Sequence, residues 1–167
     1  MITIDDLNQA SAKTFIARTG GALEGEIWLA ERVLAQRPFG EVEAIIQAFA
    51  KAITEASEAE KIRLLASHPD LGIKVDDSLS EASIREQASA GLNQLTNAEY
   101  DTFSQLNTDY KTKFGFPFVI CARDYDKQGI LSAFEDRLKN DRSTEIETGT
   151  AQIIRIIRLR LLDLVTS

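Results

Sequence analysis

Apolar residues in this chain recur with the spacing of helices rather than strands. Gaps of three or four residues separate the members of two stripes, formed by Val42, Ile45, Phe49 and Ile53 and by Tyr100, Phe103, Leu106, Tyr110 and Phe114. Such gaps place side chains on one face of an α-helix, where they pack against a core. The pattern predicts an all-α protein with eight or nine helices.

Polar and glycine residues between the stripes indicate where helices begin and end. Capping boxes at Ser57-x-x-Glu60 and Thr96-x-x-Glu99 predict two helix starts. We interpret Gly40, Gly115 and Gly129 as breaks between periodic runs. The predicted helices cover residues 4–9, 12–18, 24–36, 41–56, 58–66, 81–91, 97–114, 130–139 and 144–164.

One stretch departs from the helical pattern. Residues 114–122, FGFPFVICA, are apolar, partly β-branched and interrupted by Pro117. The proline favours extended geometry at Phe116, so we predict a short extended segment near residues 116–121. Such a segment lacks a strand partner in a helical protein, although buried backbone groups nearly always find partners. It is either a connector bonded to loops or water, or a backbone that faces a polar ligand.

Composition and charge narrow the class of protein. The 167 residues carry a net charge of −7 without a large basic patch, which disfavours binding to nucleic acid and to anionic membranes. No apolar run approaches the ~18 residues of a membrane span. The N-terminal residues lack a signal-peptide core, and the final residues, LVTS, carry no peroxisomal address. We expect one domain over residues 1–167, located in the cytoplasm.

Histidine and cysteine each occur once, as His68 and Cys121. An intrachain disulfide and a His/Cys zinc site are therefore impossible, while a carboxylate metal site stays open. The chain has no calcium-loop spacing, GxGxxG, phosphate-binding loop or GxSxG motif. We expect Cys121 to pack as a small hydrophobe. The chemistry is expected to come from side chains and backbone, with no cofactor.

His68 lies in LLASHPDLGIK, after an apolar helical run and directly before Pro69. The proline discourages helix at His68, so the imidazole lies at a helix end. It either bonds to the last carbonyl groups of that helix or acts as a general acid and base, the role for which histidine is most often used.

The predicted helix over residues 81–91 has two unlike faces. At 100° per residue, one side carries Ser83, Glu86, Gln87 and Ala90, and the other carries Ile84, Ala88 and Leu92. The polar side is either a solvated face or, because its small residues leave room, a face that a ligand approaches.

Arg160 is unusual in the last helix because it falls within an apolar stripe. The stripe comprises Ile153, Ile156, Ile157 and Leu164, and two other arginines, Arg155 and Arg158, lie on the opposite side. A buried charge without a partner is strongly destabilising. Arg160 must therefore extend to water, pair with a carboxylate or bind an anion.

Four motifs, in this order and spacing, resemble one family. SHPDLG, SIREQASAGLNQL, YKTKFGFPFVICA and RIIRLRL are similar to the 2-oxo-4-hydroxy-4-carboxy-5-ureidoimidazoline (OHCU) decarboxylases, and the similarity extends back to WLAERVLAQRPF at residues 28–39. The combination of HPDL, EQxxAGL and FGFPF is specific, although each alone is not. The resemblance implies an all-helical homodimer. It also implies decarboxylation of a small ureidoimidazoline to (S)-allantoin, the last step of urate breakdown to allantoin, without a cofactor.

The resemblance also implies roles for individual residues. Matched by motif, the catalytic histidine is His68 and its acidic partner is Glu86. Substrate contacts fall on Pro69, Ser83, Gln87 and Arg160, and on the backbone of Phe118, Val119 and Ile120. Protonation of one face of the ring by His68 and Glu86 would give a single enantiomer.

Two other interpretations remain at this point. The amphipathic pattern alone also suits a non-catalytic helical interaction module. A related enzyme could instead hydrolyse another ureido or amide substrate, although it would need a nucleophile or a metal-activated water, and Cys121 lies in an apolar stretch.

Overall fold

The computed structural model describes residues 1–74 and 76–166, so that Val75 and Ser167, the last residue of LVTS, lie outside it. The described residues form α1 (Ile4–Gln9), α2 (Ala12–Gly20), α3 (Ile27–Leu34), α4 (Val42–Thr54), α5 (Glu58–Ala66), α6 (Glu81–Ser89), α7 (Asn97–Phe114), α8 (Lys127–Arg137) and α9 (Arg142–Leu164). A short 3-10 helix, η1 (Ala122–Asp124), precedes α8. Two-residue strands β1 (Ile2–Thr3) and β2 (Val165–Thr166) pair in parallel. The all-α prediction is confirmed.

Helix boundaries follow local capping chemistry. Both bonds of the predicted Ser57/Glu60 capping box form, at 2.9 and 3.2 Å. At Thr96 only the forward bond forms, and the Glu99 carboxylate pairs instead with Lys127 Nζ at 2.6 Å. The pairing with Lys127 shows why a sequence motif alone does not guarantee the reciprocal bond.

Gly129 does not mark a break, and this prediction was wrong. Helix α8 begins at Lys127, before the glycine. The Gly129 N–H donates to Asp126 Oδ1 at 2.7 Å, so Asp126 acts as the N-cap and Gly129 lies in the first turn. Gly115, by contrast, ends α7 in the left-handed region at φ 82°, as a glycine C-cap does.

Contacts divide the chain into two compact units, Met1–Lys61 with Ile154–Ser167, and Ile62–Ile153. In the first, α3 packs against both α2 and α4. The core of the second contains an aromatic cluster of Phe103, Tyr110, Phe114, Phe116, Phe118 and Phe134. Both predicted stripes contribute to these cores, and the single domain over residues 1–167 stays a prediction.

The predicted interruption of the helical pattern is present. Residues 117–121 belong to no helix or strand, and the chain there connects α7 to η1. Within residues 1–74 and 76–166, no helix is both long and apolar enough to cross a bilayer.

Candidate active site

His68 is fixed at the end of α5 by its own helix. It is 8% exposed, and Nδ1 lies 2.9 Å from the Leu64 carbonyl oxygen. Because a carbonyl oxygen only accepts, this bond puts a proton on Nδ1, and the neutral ring then carries its lone pair on Nε2. Ser67 Oγ donates to the same carbonyl at 2.7 Å. The helix end thus orients the imidazole and selects its tautomer.

The loop after His68 is bonded to α6 through Gln87. The Gln87 amide nitrogen donates to the Asp70 carbonyl at 3.2 Å, and its amide oxygen accepts from the Gly72 N–H at 3.1 Å. On α7, the Asn107 amide nitrogen donates to the Leu71 carbonyl at 2.8 Å. Three consecutive residues of the loop are therefore held by amide side chains.

The polar face of α6 is largely buried, so the solvated-face interpretation is wrong for two of its residues. Ser83 and Gln87 are buried, and Glu86 is half-buried. Helix α6 also packs against η1. The hydroxyl and amide that the helical projection grouped together therefore face the interior of their unit.

The backbone of Phe118, Val119 and Ile120 is buried without a strand partner. The Val119 carbonyl accepts from Arg137 Nη1 at 2.7 Å, and the following Cys121 N–H donates to Gln152 Oε1 at 3.0 Å. Among the described residues, none accepts a hydrogen bond from the N–H groups of Phe118, Val119 or Ile120. The connector interpretation therefore accounts for only part of this segment.

Arg137 holds the segment through a charged network. Its Nε donates to Glu145 Oε1 at 2.7 Å. Glu145, which is fully buried, also accepts from the Tyr110 hydroxyl at 2.6 Å and from the Asn140 amide at 3.0 Å. Burial, and then the bond to Glu145, raise the pKa of Tyr110 well above its ordinary value. The guanidinium that positions Val119 is thus neutralised by a fully bonded carboxylate.

Cys121 is buried, as predicted, and is unsuited to nucleophilic chemistry. Burial raises the pKa of the thiol to about 11, with the charges of Asp124 and Glu86 acting in the same direction. A thiol with so high a pKa stays protonated near neutral pH. Glu86 lies on α6, which packs against η1 at this end of the segment.

Arg160 lies in the other unit, where it has a carboxylate partner. Its guanidinium is 2.8 Å from Glu24 Oε1, and the two side chains are 6% and 9% exposed. Of the three possibilities raised by the sequence, pairing with a carboxylate is therefore realised.

Three further residues hold the site, and the sequence analysis did not select them. Asn107 follows Phe103 by four residues and so lies on the same face of α7. Arg137 follows Ile130 and Phe134 on the buried face of α8. A polar residue within an apolar stripe, the signal that identified Arg160, would have found both. Glu145 carries no such signal, because two of its three partners, Tyr110 and Arg137, come from other helices.

Nearly the whole chain is similar to proteins of one family. A family profile described as OHCU decarboxylase matches residues 8–162. The chain is 39% identical to 2-oxo-4-hydroxy-4-carboxy-5-ureidoimidazoline decarboxylase of Halalkalicoccus jeotgali over 163 residues, covering 98% of this chain and 92% of the relative. It is 37% identical to the uric acid degradation bifunctional protein PucL of Bacillus subtilis, covering 99% of this chain and 33% of that protein.

A solved structure shows the same architecture. The crystal structure of (S)-allantoin synthase superposes with a TM-score of 0.78 at 25% identity and covers 100% of this chain and 55% of that one. The relatives named here are enzymes, so the interpretation as a non-catalytic interaction module is wrong.

Proposed function

Because the chain belongs to the OHCU decarboxylase family, we propose that His68 and Glu86 catalyse the cofactor-independent decarboxylation of OHCU to (S)-allantoin in urate degradation. One observation carries the catalytic part of this proposal. The sole histidine is buried, with Nδ1 bonded to its own helix, which leaves Nε2 as the nitrogen for proton exchange.

The substrate supplies its own electron sink. Its ring carbon 4 carries a hydroxyl and a carboxylate, and the neighbouring carbon 5 carries the ureido group and a double bond to a ring nitrogen. When the bond to the carboxylate breaks, CO₂ leaves and the electron pair forms a double bond between carbons 4 and 5. The ring nitrogen takes up a proton as its own double bond opens. The resulting enol loses its hydroxyl proton and carbon 5 gains one, which gives the product ketone and its stereocentre.

His68 is suited to these proton transfers. Its Nε2 accepts the proton from the hydroxyl of carbon 4 and returns one to carbon 5, while Nδ1 stays bonded to Leu64. A positioned general acid and base contributes about 10²–10⁴-fold to a rate. Glu86 stabilises the imidazolium that forms transiently, or delivers the second proton itself, since a carboxylate favours a neighbouring cation.

The remaining predicted contacts bind the substrate rather than transform it. The buried backbone of Phe118, Val119 and Ile120 offers N–H groups to the carbonyl oxygens of the ring and the ureido group. Ser83 offers a buried hydroxyl, and Pro69 an apolar wall. Gln87 already uses both ends of its amide on the loop, so its contribution to substrate binding is through its second N–H.

Arg160, the homodimer and the cytoplasmic location also stay predictions. We expect Arg160→Lys to raise KM because lysine keeps the charge but lacks the planar paired donors. Light scattering of the purified protein tests the homodimer, and cell fractionation tests the location.

His68→Asn tests the catalytic proposal. Freshly generated OHCU is supplied, and circular dichroism follows the appearance of (S)-allantoin. We expect kcat to fall by about 10²–10⁴-fold while the protein stays folded, because asparagine can bond to Leu64 but cannot exchange protons near neutral pH. The histidine limb in the pH profile of kcat should disappear with it.

Ser67→Ala is the matched control. It removes the hydroxyl that shares the Leu64 carbonyl and lies 3.5 Å from His68 Nδ1, while the bond from Nδ1 to that carbonyl remains. We expect a kcat close to that of the wild type. If His68→Asn keeps a near-normal kcat, the acid–base role is wrong, and Glu86 alone must be considered.

A further inference from the structure

The loop directly after His68 is held by a clamp of two neutral amides. Gln87 on α6 bonds to the Asp70 carbonyl and the Gly72 N–H, and Asn107 on α7 bonds to the Leu71 carbonyl between them. Every residue from 70 to 72 therefore has a backbone group bound to a side chain from another helix. We call Gln87 and Asn107 the loop clamp.

Asn107 is the unexpected member of the loop clamp. It is 3% exposed, and its Oδ1 has no hydrogen-bond partner among the described residues. An apolar side chain of similar size would fill the same space without an unmet buried oxygen, which is destabilising. The bond from Nδ2 to Leu71 is therefore the contribution that distinguishes asparagine from leucine at this position.

The loop also packs closely on the same face of α7. A Cβ added to Gly72 would lie 2.8 Å from Phe103 Cγ and 3.1 Å from Leu95 Cδ1, and φ of Gly72 is +67°. Phe103 and Asn107 are one helical turn apart, so the loop is fixed to α7 at two adjacent points. Little freedom is left to the chain between Gly72 and His68.

We propose that Asn107 is a positioning residue for His68, an inference that rests on the proposed acid–base role of this histidine. The imidazole is held on one side by Leu64 and its helix end. On the other side only Pro69 and Asp70 separate His68 from the clamped carbonyl of Leu71. Loss of the Asn107 bond lets the loop shift and carries the imidazole away from the reacting carbon.

Asn107→Leu tests this role, with Gln105→Leu as the matched control on the same helix. Gln105 is exposed, and among the described residues its amide bonds to Asp109 alone. We expect Asn107→Leu to lower kcat by about 10–100-fold with KM changed less than about threefold, as displacement of a catalytic group by about 1 Å does. The control should keep both constants. Asn107→Ala, which leaves room for water at the Leu71 carbonyl, should show the same kcat loss and serves if the leucine variant does not fold.

The sole histidine gives a second measurement that does not depend on turnover. Nitrogen-15 labelling of histidine yields signals from His68 alone. We expect the Nδ1-protonated tautomer in the wild type and changed imidazole shifts in Asn107→Leu, with no change in Gln105→Leu.

The outcomes separate this inference from the proposed function. A lower melting temperature with unchanged kcat in both Asn107 variants would mean that the clamp only stabilises the fold, and the positioning role would be wrong. A raised KM with unchanged kcat would also contradict it, because the loop would then act in binding. Full activity in His68→Asn removes the proposed acid–base role of His68 and the positioning role with it. An inactive His68→Asn beside fully active Asn107 variants removes the positioning role alone.

Discussion

The loop after His68, which is buried at Leu71 and Gly72, and the buried segment Phe118–Ile120 are irregular stretches of the same unit, but different chemistry holds them. The loop is bonded by the neutral amides of Gln87 and Asn107. The segment is bonded at Val119 by the guanidinium of Arg137, whose charge is balanced by Glu145. Both devices fix backbone that has no strand or helix partner of its own.

This difference predicts two kinds of failure. Removing an amide leaves a buried carbonyl unmet, which costs about 1–3 kcal/mol of unfolding free energy. Removing one member of a buried ion pair leaves a charge without its partner, which costs about 3–5 kcal/mol. Damage to the loop should therefore leave a folded protein with poor catalytic geometry, whereas damage at Arg137 should threaten the fold itself.

Arg137→Met should have the largest effect. It leaves Glu145, which is fully buried, without its cation, and we expect a loss of about 3–5 kcal/mol in urea unfolding. The matched control is Lys139→Met, two residues after Arg137. It breaks an exposed pair with Asp136 and should change the stability by less than about 1 kcal/mol.

A double variant sharpens this test. Adding Glu145→Gln to Arg137→Met removes the charge that the single substitution strands. We expect the double variant to be more stable than the sum of the two single losses predicts, by roughly 0.5–3 kcal/mol. Strictly additive losses would show that the two charges are not coupled.

Alkaline pH should lower the free energy of unfolding through Cys121, the residue that follows the segment Phe118–Ile120. The folded pKa of Cys121 is about 11, above its ordinary 9.0, so the folded state holds this proton more tightly than the unfolded chain does. The resulting stability is complete below pH 9 and is lost as the pH rises to 11. The loss amounts to roughly 2–3 kcal/mol, and Tyr110 adds to it in the same direction at higher pH.

Cys121→Ala isolates the thiol contribution. Urea unfolding of both proteins between pH 8 and 11.5 should show a shallower decline in the variant, whatever its stability at pH 8. Parallel curves would mean that the thiol does not titrate differently in the folded state.

Gly149→Ala should lower the stability of the protein by an intermediate amount. A Cβ there would lie 2.6 Å from Leu65 Cδ2, next to the residue that holds His68, and 3.7 Å from Arg137 Nη2. We expect a loss of about 1–3 kcal/mol from overpacking. Leu65→Val should recover part of that loss, and a double variant with the summed loss of both single changes would contradict a local clash.

Lys111→Met should have the smallest effect. Lys111 Nζ pairs with Asp70 at 2.6 Å, but the lysine side chain is 45% exposed. We expect a change below about 1 kcal/mol that shrinks further in high salt. A larger loss, or one that persists in high salt, would show that this pair is a third member of the loop clamp.

Much of the fold could be predicted from the sequence because the helices are encoded locally. The bounds of α1, α5 and α7 agree with the predicted 4–9, 58–66 and 97–114, and α3 begins at Ile27 rather than at residue 24. Apolar spacing and capping residues act within one or two turns, so they can be read from the chain. The strands β1 and β2 were missed because their pairing joins residues far apart in sequence.

Site residues could be predicted where their side-chain chemistry and the family motifs agree. They were harder to predict where hydrogen bonds between residues far apart in sequence set their roles. His68 could be located from its position before Pro69, and its bond to the Leu64 carbonyl is one of the two alternatives that the sequence raised for it. Gln87 was predicted to contact substrate, whereas its amide also holds the loop, a role that depends on a neighbour fifteen residues away. The direction in which the polar face of α6 points is likewise set by packing against the rest of its unit.

Glu24 presents a conflict between backbone and charge. Its φ of 47° lies in the left-handed region, where a residue other than glycine loses about 1–2 kcal/mol. Glycine would relieve that strain but would also remove the carboxylate beside Arg160, whose side chain is only 6% exposed. Removing one member of a buried ion pair costs about 3–5 kcal/mol, which exceeds the relief. The backbone strain at Glu24 is thus smaller than the cost of losing its ion pair. Glu24→Gly should therefore destabilise the protein, although glycine often stabilises a left-handed position.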